Sequence, residues 1–181
     1  MPDNKKLNEL IIKIKNKDTK ALSELYNLTN KDIFAFIFSI VKHYYDAEDI
    51  MHNVYITIYK NSYLYIESNN PKSWIFTIAK NETLMKIRKN KKETQITNED
   101  LEKIGKLHVE LNHEDKILIK HMLNDLNEDE RKIIIMHDMS GFKHKEIALI
   151  LNLPLPTVLS KYHRSIKKMK AFLKEELWKK N

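Results

Sequence analysis

Apolar positions recur at helical spacing along almost the whole chain. Leu7, Leu10, Ile11 and Ile14 fall at i, i+3, i+4 and i+7, and Ile33, Phe36, Ile37 and Ile40 repeat the pattern. Asp46 is placed to cap a further helix, with Glu48 and Asp49 in its first turn, where the helix dipole favours anions. Ile50, Val54 and Ile58 carry that helix to Asn61. The stretch "SYLYIESNNPKS" breaks the rhythm, and Asn70–Pro71 make a cap and first-turn pair for the next helix. That helix is expected to turn Trp74, Ile75, Ile78 and Met85 inward and to end in the basic run "KIRKNKK". From Glu93 to Asn112 the periodicity fades. Glu93, Glu99, Asp100, Glu102 and Glu110 make this segment acidic and Gly105 interrupts it, as in a linker. Ile119, Met122, Leu123 and Leu126 then restore a helical stripe. Asn127 and Glu130 have capping-box spacing, and Gly141 is a natural left-handed helix stop. The pattern predicts an all-α protein of two small helical domains joined by a flexible acidic linker.

One stretch, "KHKEIALILNLPLPTVLSKYHRSIKKMK" at 143–170, holds two apolar rhythms around a short gap. Ile147, Ala148 and Leu151 form the inner face of a short helix. Asn152 sits where the chain must turn, and asparagine tolerates the left-handed conformation better than most residues. Leu153 can plug the turn, and Pro154 and Pro156 suit the start of a new helix. Val158, Tyr162, Ile166 and Met169 then face inward, leaving Thr157, Ser160, Lys161, Arg164 and Lys167 outside. This is the pattern of a helix-turn-helix whose second helix suits the major groove. Periodicity alone leaves open the plainer alternative of two bundle helices with a solvated basic face.

Composition narrows the choice. The chain of 181 residues has two glycines and four prolines, too few for an all-β protein with many tight turns. Lys and Arg outnumber Asp and Glu by 32 to 25, a balance of +7 that favours a polyanionic partner. Disulfides, CxxC zinc sites and thiol catalysis are excluded because there are no cysteines. The longest apolar run, "IFAFIFSIV" at 33–41, is too short to span a bilayer, and "MPDNKKLNEL" lacks a signal-peptide core. The expectation is a cytoplasmic protein without membrane insertion. No HExxH, Gly-rich phosphate loop or Ser/His/Asp constellation stands out, so no catalytic residue, metal site or cofactor is expected.

The segment "LNEDERKIIIMHDMSGFKHKEIALILNLPLPTVLSKYHRSIKKMKAFL" resembles region 4 of sigma-70-family factors, in the compact extracytoplasmic-function (ECF) form. Gly141-Phe142, Glu146-Ile147-Ala148, Thr157-Val158, Ser160-Lys161 and Arg164 carry that resemblance. LuxR-type regulators share the "EIA…TV" core, so this half alone does not decide. "YDAEDIMHNVYITIYKN" is similar to the region 2 helix that docks on RNA polymerase, and "PKSWIFTIAKNETLMKIRKNKK" to the helix that reads the minus-ten element. The resemblance implies a region 2 domain at 1–93, a linker at 94–112 lying in the polymerase's RNA path, and a region 4 domain at 113–181. It implies an alternative sigma factor that binds core RNA polymerase and promoter DNA, with an anti-sigma factor as a further partner.

Carried onto this chain, polymerase docking falls to Asp46, Glu48, Asp49, His52 and Asn53. Contacts at the minus-ten element fall to Tyr63, Tyr65, Lys80, Asn81, Lys86, Arg88 and Lys89, since an opened strand needs cations for its backbone and aromatic or amide groups for unstacked bases. The minus-thirty-five element falls to Thr157, Ser160, Lys161, Arg164 and Lys167. The chain also departs from the family: His52-Asn53 replace a common Gln-Glu pair, Met85 a common acidic residue, and Lys161 a common arginine. Leu159 stands where a basic residue is frequent. Two other readings remain at this point, an autonomous helix-turn-helix regulator and a sigma-like interaction protein that has lost promoter melting.

Overall fold

The computed structural model describes residues 3–67, 70–89, 99, 103 and 124–179, with side chains as far as Glu175. Seven α-helices, one 3-10 turn and one π-helical segment make up the described residues, which contain no strand. Two compact units divide the chain, one formed by Met1–Val41 and Tyr45–Glu93, the other by Lys42–Tyr44 and Thr94–Asn181. The predicted linker and the stripe of Ile119, Met122 and Leu123 fall outside the described residues, Glu99 and Lys103 excepted.

The first unit begins with α1 (Asn4–Lys15), capped by the Asp3 carboxylate, which accepts the Lys6 N–H at 2.7 Å. Leu7, Leu10, Ile11 and Ile14 are all fully buried, as their spacing predicts. Lys17 turns the chain at φ 69°, and Asp18 accepts the N–H groups of Lys20 and Ala21 to start α2 (Thr19–Val41). Helix α2 packs on α1 and on α4 (Pro71–Lys89), with Phe36 set edge-on against Phe76 at 5.3 Å. Lys42 at φ 57° ends α2, and α3 (Tyr44–Asn61) begins two residues before the expected cap. Tyr44 is buried and Asp46 lies inside the first turn. Met85 also departs from expectation: it is half exposed, because α4 buries the arc of Ile75, Phe76, Ala79 and Thr83 instead.

In the second unit, the helical pair Asn124–Asp125 is followed by α5 (Glu128–Ile134). Both halves of the predicted capping box are present: Asn127 Oδ1 accepts the Glu130 N–H at 2.9 Å, and Glu130 Oε2 accepts the Asn127 N–H at 3.0 Å. The helix continues as a π segment (Ile135–Met139) and stops at Gly141, φ 72°. Next come α6 (His144–Leu151) and α7 (Leu155–Lys179). Asn152 joins them at φ 56°, and the Leu153 N–H donates back to the Ala148 carbonyl at 3.0 Å, the six-to-one bond of a Schellman turn. The glutamate of "EIA" has a local purpose, since Glu146 accepts the Lys143 backbone N–H at 2.7 Å and closes the start of α6. Ile147, Ala148 and Ile150 of α6 and Val158 of α7 are buried, while Leu151, expected on the inner face, is half-buried.

Candidate polymerase and promoter surfaces

Helix α3 buries Ala47, Ile50, Met51, Val54, Tyr55 and Ile58. Its outer face carries Asp49, His52 and Asn53, all exposed, with Asp46 and Glu48 half-buried on the two flanks. Two apolar side chains that sequence reasoning missed, Tyr45 and Ile56, join this face at 53% and 49% exposure. The His52 ring stacks on Tyr26 of α2, with centroids 6.4 Å apart. The face is therefore mixed, acidic and amide groups around apolar ones, as suits a partner helix.

On α4, Asn81 and Arg88 lie seven residues apart and share the exposed side, with Leu84 and Met85 between them. Lys89 is exposed in the last turn and Lys80 is half-buried. Lys86 points the other way. Its Nζ is 3.6 Å from Asp46 and 3.7 Å from Asp49, so it ties α4 to the flank of α3. Thr57 and Glu82 join the same two helices through a 2.7 Å hydrogen bond.

The loop before α4 separates its two tyrosines. The 3-10 turn Ser62–Leu64 leaves Tyr63 61% exposed, whereas Tyr65 is 3% exposed. The Tyr65 hydroxyl donates to Asn8 Oδ1 of α1, and its ring lies 4.9 Å from Trp74. Tyr65 is thus a core residue and not a surface group for unstacked bases, a correction to the sequence expectation. A helical period gives no guide to which way a residue points in a broken loop.

In the second unit, Thr157, Ser160, Arg164 and Lys167 fall within an arc of about 80° on α7. Ser160, Arg164 and Lys167 are exposed, and Thr157 is half-buried at the start of the helix. Ser160 Oγ donates to the Thr157 carbonyl at 3.1 Å. Lys161 belongs to the flank and not to this arc. Its Nζ lies 3.2 Å from Asp129 of α5. Two turns on, Lys168 meets Glu130 at 2.7 Å, and the Glu130 side chain is fully buried. Burial works to raise the Glu130 carboxyl, but Lys168 and the Asn127 N–H outweigh it and hold it below the usual range. These acidic anchors have only a faint sequence signal, the seven-residue spacing of Lys161 and Lys168.

The two units match known family models in the expected order: residues 25–93 match Sigma-70 region 2, and residues 116–169 match Sigma-70 region 4. Three Bacillus subtilis (strain 168) proteins described as ECF RNA polymerase sigma factors are similar along most of their length. SigM is 23% identical over 83% of this chain and 93% of its own. SigX is 26% identical over 84% and 85%, and SigW 23% identical over 91% and 95%. The chain is an ECF sigma factor of the sigma-70 family. Solved structures share the fold of this sigma factor. CnrH, in complex with the cytosolic domain of CnrY, has a TM-score of 0.70 at 16% identity, covering 94% of this chain and 98% of its own. RpoE of Bartonella quintana, in complex with the anti-sigma factor NepR, has a TM-score of 0.65 at 23% identity, covering 86% and 98%. The sigma factor therefore carries a region 2 unit as well as a DNA-binding region 4 unit.

Proposed function

We propose that this sigma factor, in directing promoter-specific transcription by RNA polymerase, divides the task between named surfaces. Core polymerase docks on the outer face of α3, through Asp49, His52 and Asn53 with Tyr45 and Ile56 beside them and Asp46 and Glu48 at the rim. Asn81, Arg88, Lys89 and the exposed Tyr63 hold the minus-ten strand, with Lys80 beside them. Thr157, Ser160, Arg164 and Lys167 read the minus-thirty-five element in the major groove. The observation that carries this reading is that α3, α4 and α7 each bury one side and carry most of these groups on the other, with Tyr63 exposed in the 3-10 turn before α4. The family is non-enzymatic, so the protein guides the polymerase's chemistry and performs none.

The solved complexes of CnrH and RpoE with CnrY and NepR support an anti-sigma partner for this chain as well. Among the described residues no helix is long and apolar enough to cross a membrane. Membership in the sigma-factor family supports a cytoplasmic place of action.

Run-off transcription with core polymerase on genomic fragments tests the whole reading. Within it, Asp49→Lys with Asn53→Lys should abolish co-purification with core enzyme while leaving helical content intact, because charge reversal harms an interface more than an exposed helix. Undiminished co-purification would refute the α3 assignment. At the other surface, Arg164→Ala should weaken promoter binding by about 1–3 kcal/mol and relax sequence preference if it reads a base edge. Lys167→Ala should weaken binding to all sequences alike and reduce the salt slope by about one.

A further inference from the structure

Lysines 161 and 168 flank the recognition arc of α7, and both are bound by consecutive acids in the first turn of α5. The Glu130–Lys168 pair is fully buried on its acidic side and is a fixture of the fold. The Asp129–Lys161 pair is different. Asp129 and Lys161 keep 33% and 22% of their side chains exposed, and Lys161 is adjacent in sequence to Ser160 on the recognition arc. Asp129 is also fixed independently of Lys161. Lys132, whose own side chain is largely covered, approaches Asp129 at 3.0 Å and Glu128 at 2.8 Å.

We infer that Asp129 is a specificity-setting residue: it holds Lys161 away from the DNA backbone, so that promoter binding rests on Thr157, Ser160, Arg164 and Lys167. A lysine is a compact point charge that gains nearly as much from any phosphate as from a chosen base. Released onto the backbone, Lys161 would add affinity for every sequence alike. Kept on Asp129, it adds none, and discrimination is left to groups that touch base edges. Burial tends to raise the Asp129 carboxyl, but the hydrogen bonds from Lys132 and Lys161 hold it low, so it stays charged in its tethering role. The inference rests on reading α7 as the recognition helix.

The test is a salt series of promoter-duplex binding by holoenzyme reconstituted from core polymerase and the full chain. Asp129→Asn should steepen the salt dependence by about 0.9 in log–log slope, one added phosphate contact, and raise affinity for random-sequence duplex. From 50 to 200 mM salt, that increment makes binding fall about 3.5-fold further than in the wild type. Lys161→Ala alone should leave the slope unchanged, and in that background Asp129→Asn should have no effect on it. Asp129→Glu keeps the charge and should keep the wild-type slope. Circular dichroism checks that each variant folds, and Lys161→Ala tests the idea even if Asp129→Asn does not. A slope reduced by about 0.9 in Lys161→Ala would overturn the inference, since the lysine would already sit on a phosphate. An equal effect of Asp129→Asn with and without Lys161 would overturn it too, leaving the carboxylate as a mere repelling charge. If Arg164→Ala leaves promoter binding untouched in the same series, the recognition-helix reading fails first and takes this inference with it.

Discussion

Single side chains separate what is structural from what is functional in the loop before α4. Tyr65 and Tyr63 are two residues apart, yet one is locked to Asn8 and Trp74 and the other projects outward. Tyr65→Phe should lower the stability of the first unit by about 1–3 kcal/mol, because the buried Asn8 loses this hydrogen bond. Thermal denaturation measures the loss, and transcription should suffer equally on every template. Tyr63→Ala should leave the melting temperature unchanged. A second residue-scale consequence concerns His144, whose ring stacks on His137 at 4.2 Å beneath Tyr162. Burial first, then repulsion from His137 and His163, holds its pKa below the usual 6.5, with Asp138 opposing. The folded state therefore prefers neutral His144. Stability is full above about pH 6.5 and declines on acidification, as the unfolded chain takes up the proton first. Denaturant midpoints recorded between about pH 7 and pH 5 should show this decline, and His144→Phe should flatten it.

At the scale of elements, the turn between α6 and α7 was legible because its residues have few alternatives. Asparagine at 152 and glycine at 141 both adopt positive φ, and the capping box at Asn127 closes as its spacing requires. Asn152→Ala should cost about 1–2 kcal/mol, since alanine pays the full left-handed penalty, whereas Asn152→Gly should be close to neutral. Urea unfolding distinguishes the two. The π segment was not legible. Ile133, Ile134, Ile135 and Met136 are four consecutive buried residues, and no period of 3.6 accounts for such a run. Its wide turn is visible only in bonds such as Ser140 N–H to the Ile135 carbonyl at 3.1 Å. Likewise Lys86 looked like one more cation in a basic run. Only the packing of α4 on α3 reveals that it faces Asp46 and Asp49.

For the molecule as a whole, the division into two helical units was foreshadowed by the fading of periodicity after Glu93, and the function by the order of the two family-like segments. What periodicity could not supply was the orientation of side chains where helices meet, which depends on partners distant in sequence. Strand opening tests the combined reading. Asn81→Ala with Tyr63→Ala should reduce transcription from duplex promoters far more than from promoters already opened by mismatches, because base capture offsets an unstacking cost of a few kcal/mol that a pre-formed bubble removes. Equal losses on both templates would indicate damaged docking. No loss on either would favour a chain that has given up melting, a view motivated by Met85 and His52-Asn53 standing where the family commonly has an acidic residue and a Gln-Glu pair.

The Sigma-70 region 2 match begins at residue 25, yet the folded unit begins earlier. Helix α1 inserts four fully buried aliphatic side chains and holds the loop that presents Tyr63 through Asn8. At about 1.5–3 kcal/mol each, those four contribute ~6–12 kcal/mol. Ordering α1 costs entropy that offsets part of this gross gain, but its loss would also uncover the apolar faces of α2 and α4 on which it packs. A cellular peptidase that clipped the chain ahead of Thr19 would therefore not shorten the initiator but condemn it. Pulse-chase labelling should find the chain that starts at Thr19 degraded much faster than the full one. The supply of active sigma factor, and with it the duration of any response it drives, can be ended by a single cut before α2.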